Sequence, residues 1–166
     1  MKSSFYNNNL YGVDFRLEPD KYSIGRGEQG VLMVEPYKSE ILPHWRFRTP
    51  DVAKKSAEKI YALFLQYKKE NDFVGMDMAR KFLQMGYTRS RRYANHASGR
   101  KYISNPQNEA SETLEKQARK NVLPQAKDWE TNEKAQSAKI FYEYYLKAKS
   151  DEEYLLMKKQ HKEKYE

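Results

Sequence analysis

Thr49-Pro50-Asp51-Val52-Ala53 opens one stretch, and Asn71-Asp72-Phe73-Val74-Gly75-Met76-Asp77-Met78-Ala79-Arg80-Lys81-Phe82-Leu83-Gln84-Met85-Gly86 closes it. The reading of this stretch decides the fold. Thr is a good N-cap, Pro suits the first helical position, and Asp suits the positive end of a helix dipole. Ala53, Ala57, Ile60, Phe64 and Tyr67 then recur at helical spacing. Asn71-Asp72 ends this helix and caps the next. The second helix is expected over about Phe73–Met85, with Val74, Met78, Phe82 and Met85 as its apolar stripe. Asp77, Arg80, Lys81 and Gln84 form its polar face, and Gly86 is expected as a left-handed C-terminal cap. Thr88 would then cap a short basic segment, Arg89-Ser90-Arg91-Arg92-Tyr93-Ala94-Asn95-His96, closed by Gly99-Arg100-Lys101.

Outward from this pair the signals weaken. Residues 1–9 are polar and aperiodic and are expected to be a disordered terminus. Gly12, Pro19, Gly25, Gly27, Gly30, Pro36 and Pro43 leave no room for a long helix before Thr49. Tyr22–Ile24 and Val31–Val34 are short enough to be strands of a small two- or three-stranded sheet, and Val31–Val34 fits a helical turn equally well. Trp45 and Phe47 are expected to anchor this irregular part onto the long helix that begins at Thr49. On the C-terminal side, residues 103–132 read as a linker with weak helix over Asn108–Asn121, broken by Pro124. Two helices follow, about Asn132–Lys149 and Asp151–Lys164. The first carries the stripe Ile140, Phe141, Tyr144, Tyr145 and Ala148, and the second starts with acids in its first turn. The expected architecture is therefore mainly α and a single domain: a core over 10–102, a linker over 103–132, and helices over 133–166 packed on the core.

Composition bounds the function. The 166 residues are 39% hydrophobic and 33% charged, with 14% aromatic, a balance that fits a modest core with long solvated helices rather than disorder. The absence of Cys excludes disulfides, thiolate zinc sites and cysteine nucleophiles. The N-terminus has no apolar core like that of a signal peptide, and no apolar run is long enough to span a membrane, so the expected location is the cytoplasm. The net charge is +8. Residues 73–102 hold seven basic groups and one acid, whereas residues 103–166 hold twelve of each. A concentrated positive field of this kind attracts phosphate-bearing partners.

The basic segment is the main functional signal. Arg80, Lys81, Arg89, Arg91, Arg92, His96, Arg100 and Lys101 supply cations, with Tyr87, Tyr93 and Tyr102 between them. On a helix Arg89, Arg92 and His96 share a face. Guanidinium groups alternating with aromatic rings suit phosphate contact plus base stacking. The alternative is a solvated face with some Arg paired to carboxylates such as Asp77. Arg26, Lys38, Arg46 and Arg48 are expected to extend the ligand-binding surface. A helix–Gly–helix arrangement at Gly86-Tyr87-Thr88 also has the outline of a helix-turn-helix, though its second helix is only about eight residues long.

Gly25-Arg26-Gly27-Glu28-Gln29-Gly30 spells Gly-x-Gly-x-x-Gly. A dinucleotide site needs this motif between a strand and a helix, and Pro36 and the missing βαβ unit argue against it. A smaller reading survives, in which the glycines and Arg26 face one anion, against the plain alternative of a turn with a structural Arg–carboxylate pair. An enzyme built here would use Glu28 and His96 as its catalytic candidates, with Arg26 and Arg92 holding an anionic substrate. Three His without metal-motif spacing predict no metal site, and no cofactor is expected. The function expected from the residues is thus binding of nucleic acid (DNA or RNA) or another phosphorylated polyanion. The alternatives are an enzyme for a small anionic substrate and an adaptor for an acidic protein.

The blocks Gly25–Leu32, Glu35–Phe47, Asp72–Gly86 and Thr88–His96 resemble a family of small cytoplasmic proteins known as a domain of unknown function. The resemblance covers roughly residues 14–102, and the C-terminal helices more loosely. It implies relatives in bacteria, fungi and phages and brings no activity, cofactor or catalytic residue; residues 103–132 depart most from the pattern.

Overall fold

The computed structural model describes residues 12–166; the expected disordered terminus at 1–9 lies outside them. Six α-helices account for most of the described residues: α1 Tyr37–Ile41, α2 Pro50–Lys69, α3 Phe73–Asn95, α4 Glu112–Lys120, α5 Glu133–Lys149 and α6 Glu152–Tyr165. Short 3-10 turns lie at Pro19–Lys21, Leu42–His44 and Pro106–Asn108. The fold is mainly α and forms one domain, as the sequence suggests.

The helix starts follow from local chemistry. Thr49 Oγ1 accepts from the Val52 N–H at 3.3 Å, and Asp72 Oδ1 from Gly75 at 3.1 Å. Asn132 Oδ1 accepts from Ala135 at 2.9 Å, and Asp151 Oδ1 from Tyr154 at 2.9 Å. Each cap satisfies one of the orphan amides that every helix N-terminus carries. Asn71 takes the left-handed conformation (φ 56°) that lets α2 turn into α3 without a longer loop.

Helix α3 corrects the expected break at Gly86. It runs unbroken from Phe73 to Asn95. Gly86 is no cap: a Cβ there would stand 2.3 Å from Cδ1 of Phe141 on α5. The missing side chain lets the two helix backbones close on a buried phenyl ring, so the residue that looked like punctuation is a packing site. The helix-turn-helix outline disappears with the break. Helix α5 lies along both α2 and α3, and Phe64, Phe82, Phe141, Ile60, Met78 and Tyr154 meet in one core.

The irregular N-terminal part packs as turns. Tyr22, Ile24, Val31 and Val34 are all buried in the core, but neither expected strand forms. Among the described residues the only β pairing is the antiparallel bridge between Tyr102 and Val122. Trp45 does act as an anchor, its ring 5.0 Å from Phe47 and 6.4 Å from Phe82 of α3. Residues 103–132 contain a helix shorter than expected, Glu112–Lys120, capped by Ser111. Their final part returns to the C-terminal turn of α3, where the last carbonyls of a helix lack intrahelical donors. The Ala126 N–H donates to Asn95 O at 2.6 Å and Asn132 Nδ2 to Ala94 O at 2.9 Å.

Candidate polyanion interface around the C-terminal half of helix α3

Going along α3 from its start, the first cations meet a buried acid. Asp77 is fully buried. Its Oδ1 accepts from Arg80 Nη2 at 2.6 Å and from the Tyr154 hydroxyl at 2.6 Å, and its Oδ2 accepts from the Tyr22 hydroxyl. Lys81 Nζ lies 3.9 Å from Oδ2. Burial acts against the charged carboxylate. The charges of Arg80 and Lys81 and the two hydroxyls outweigh it and hold Asp77 below the usual carboxylate range. Burial dominates at Lys81 and pushes its ammonium down to about 8. Burial and the facing Asp77 raise both Tyr22 and Tyr154.

Arg80 and Lys81 were expected on a phosphate-binding surface. They stand inside, 6% and 0% exposed. The reason is Asp77 one helical turn earlier, which supplies a counter-charge, and the N-terminal loop, which supplies acceptors. Arg80 Nη1 donates to Gly27 O, and Lys81 Nζ donates to Gln29 O at 2.8 Å. Two buried cations thus hold the Gly25–Gly30 loop by its main chain. Arg80 Nη1 also donates to Gln84 Oε1 at 2.8 Å.

The same loop brings Glu28 to the second half of α3. Thr88 Oγ1 lies 2.9 Å from Glu28 Oε2 and donates to this carboxylate. Burial pushes the Glu28 carboxyl up, while Thr88 and the nearby charges of Arg89, Arg92 and Arg80 pull against that rise. Arg89 and Arg92 point into solvent and make no ion pair or hydrogen bond among the described residues. Arg26 is exposed on the loop.

On the other flank, Lys134 at the start of α5 joins the group. Its Nζ donates to Arg48 O at 2.8 Å and to Phe47 O at 3.3 Å, and lies 5.7 Å from the centre of the Tyr93 ring. Partial burial and the Arg48 charge push its ammonium down. Sequence reasoning missed Lys134 because it sits in the charge-balanced tail; its position next to the Asn132 cap was the one local signal. An open groove of about 610 Å³ runs between the end of α3 and the start of α5, lined by Tyr93, Ala94, Asn132 and Lys134 among others.

The remaining candidates scatter. Arg91 lies over the Trp129 ring at 5.5 Å and donates to Trp129 O at 3.0 Å and Asn95 Oδ1 at 2.7 Å, so it fastens the returning chain. His96 is buried, with Nδ1 3.0 Å from Pro124 O. The imidazole N–H donates to that carbonyl, and the ring packs at the end of α3. Arg100 donates to Ile103 O at 2.7 Å and stays exposed, as does Lys101. Arg46 is exposed while its main-chain N–H donates to Ser56 Oγ of α2 at 2.9 Å. Lys38 sits on α1, 3.9 Å from Glu35, and no contact links it to Arg89 and Arg92.

What the arrangement offers chemically is two open guanidinium groups on a rigid helix with the Glu28 carboxylate beside them, and on the other flank Lys134 near Arg48, next to Glu133. No group of three or more His, Cys, Asp or Glu among the described residues is placed to hold a metal ion, and no described helix is long and apolar enough to cross a membrane. Comparison with curated proteins and with solved structures gave no match. A family described as a domain of unknown function, DUF4385, matches residues 5–164.

Proposed function

For this chain, which belongs to the DUF4385 family, we propose binding of nucleic acid or another phosphorylated polyanion through Arg89, Arg92, Arg48 and Lys134, with Arg26, Arg100 and Lys101 at the margins. The observation that carries the reading is that Arg89 and Arg92 stand one turn apart in solvent with no ion pair among the described residues. Internal partners are available to cations on this helix, as Arg80 and Lys81 demonstrate, yet among the described residues these two make no ion pair and feel only the nearby charge of Glu28. Arg48 and Lys134 crowd together on the neighbouring elements, and like charges held close together favour an anion between them.

Roughly four neutralised phosphates correspond to a log–log salt slope of about −3.6 on B-form DNA. The test is the pair Arg89→Glu and Arg92→Glu, measured by fluorescence anisotropy across a salt series. Arg91 is left intact because it holds Trp129. The double variant is expected to bind several-fold more weakly, with a slope smaller by about two, while its circular dichroism and melting stay those of the native chain. Unchanged affinity in a folded double variant rejects this surface.

A second reading rests on Glu28. A half-buried carboxylate with a raised titration range, set between Thr88 and two open Arg, has the makings of an acid–base group for a small anionic substrate. Turnover of phosphate esters that Glu28→Gln abolishes without weakening binding would favour it.

A further inference from the structure

We infer that the face formed by Arg89, Arg92, Arg48 and Lys134 fits a double-helical nucleic acid held by its phosphates, not a single strand read by stacked bases; the inference rests on the polyanion reading above. A single strand on a protein surface gains much of its affinity by stacking bases on aromatic faces, and such a platform must be open. The three tyrosines that interleave the cations each have a packing partner. Tyr87 lies 4.8 Å from Tyr142 of α5, ring centre to ring centre. Tyr93 meets Phe47 at 5.9 Å and carries Lys134 Nζ at 5.7 Å from its ring centre. Gly99, in the left-handed conformation (φ 72°), closes in on the same ring so tightly that a Cβ would stand 2.6 Å from Cε1 and Cζ. Tyr102 has Lys101 Nζ at 5.5 Å and Arg119 Cζ at 6.0 Å from its ring centre and is tied into the bridge with Val122. Trp129, the other large ring nearby, is covered by Arg91. Of these rings only Tyr93 stays open, at 37% exposure, and one open ring does not make the run of platforms on which successive bases stack.

What remains open is charge on a stiff scaffold. Arg89 and Arg92 are fixed on a 23-residue helix, and Lys134 is held by two main-chain carbonyls. Cations carried on a rigid backbone match a ligand whose phosphates are regularly spaced, because only the cation side chains then lose conformational freedom on docking. A duplex meets that condition. It also presents a denser row of charge, two phosphates for each base-pair step, and releases more counterions per neutralised phosphate than a single strand does.

The test uses the full chain and four labelled probes of one sequence: a DNA duplex, an RNA duplex, and the single strand of each, over a salt series. Affinity for at least one duplex about tenfold or more above that for both single strands is the expected result. The Arg89→Glu, Arg92→Glu variant should lose the duplex binding. Single strands bound as tightly as duplexes, with loss in the same double variant, would overturn the duplex inference and leave the polyanion reading standing. Failure of all four probes to bind at low salt, or binding that the double variant does not weaken, would overturn both.

Discussion

Replacing Asp77 by Asn keeps the shape of the side chain and removes the one negative charge that balances Arg80 and Lys81 in the interior. Arg80 has 7% of its side chain in contact with solvent and its charged group sits 2.6 Å from Asp77. A guanidinium does not lose its proton in proteins, so in the variant it remains a buried cation facing an amide. Breaking a buried pair from one side costs about 3–5 kcal/mol. Lys81 softens the loss only in part: already pushed down to about 8, it sheds its proton once Asp77 no longer favours the charged form. For a domain of this size about 1 kcal/mol corresponds to a melting shift of roughly 2–4 °C, so the expected drop is on the order of 10 °C. Thermal and urea unfolding followed by circular dichroism measure it. The reasoning also requires that Asp77→Asn combined with Arg80→Met recover part of the loss, because the orphan charge is then gone. A cost below about 1 kcal/mol for Asp77→Asn, or no recovery in the double variant, refutes the view that this network is held by charge.

Two further predictions concern the neighbours of this network. Glu28→Gln removes the carboxylate set into the basic face and should tighten polyanion binding by about two- to fivefold, the scale of a partly screened charge interaction. Because the Glu28 carboxyl titrates above its ordinary range, lowering the pH through that range neutralises it, so native binding should strengthen as pH falls and the Gln variant should lack that dependence in anisotropy titrations. At Gly86 the sign of one substitution decides: an exposed helical glycine gains about 1 kcal/mol on change to Ala, but a Cβ at 2.3 Å from Phe141 should make Gly86→Ala destabilising by about 1–3 kcal/mol in chemical denaturation.

Where a residue's role depends on its sequence neighbours, it was legible. The caps Thr49 and Asp72 stand where residue type and the following apolar rhythm put them, and the last two helices start close to the expected Asn132 and Asp151. Gly86 was misread because its role depends on Phe141, far along the chain, and no local pattern distinguishes a cap from a contact. Arg80 and Lys81 counted toward a surface because the local tally shows many cations and one acid. Their burial depends on Tyr22 and Tyr154, which arrive from opposite ends of the chain to complete the Asp77 network. His96 was drawn to the ligand by its helical register with Arg89 and Arg92, whereas Pro124 settles its place. Lys134 was hidden because charge balance over a long segment says nothing about which single ammonium folds back to meet Arg48.

The grip of Arg80 and Lys81 on the loop at residues 25–30 falls on the carbonyl oxygens of Gly27 and Gln29. Every amino acid has that oxygen, so these two anchors do not depend on the side chains of residues 27 and 29, whereas the left-handed turns at Gly25, Gly27 and Gly30 do call for glycine. Arg26 is exposed and Glu28 contacts the helix only through its carboxylate. Exchange at 26 leaves both main-chain anchors in place, and exchange at 28 removes the Thr88 contact besides, so residues 26 and 28 form an informative pair for a small randomised library. Selection on that library would show whether these two side chains tune the proposed polyanion contact.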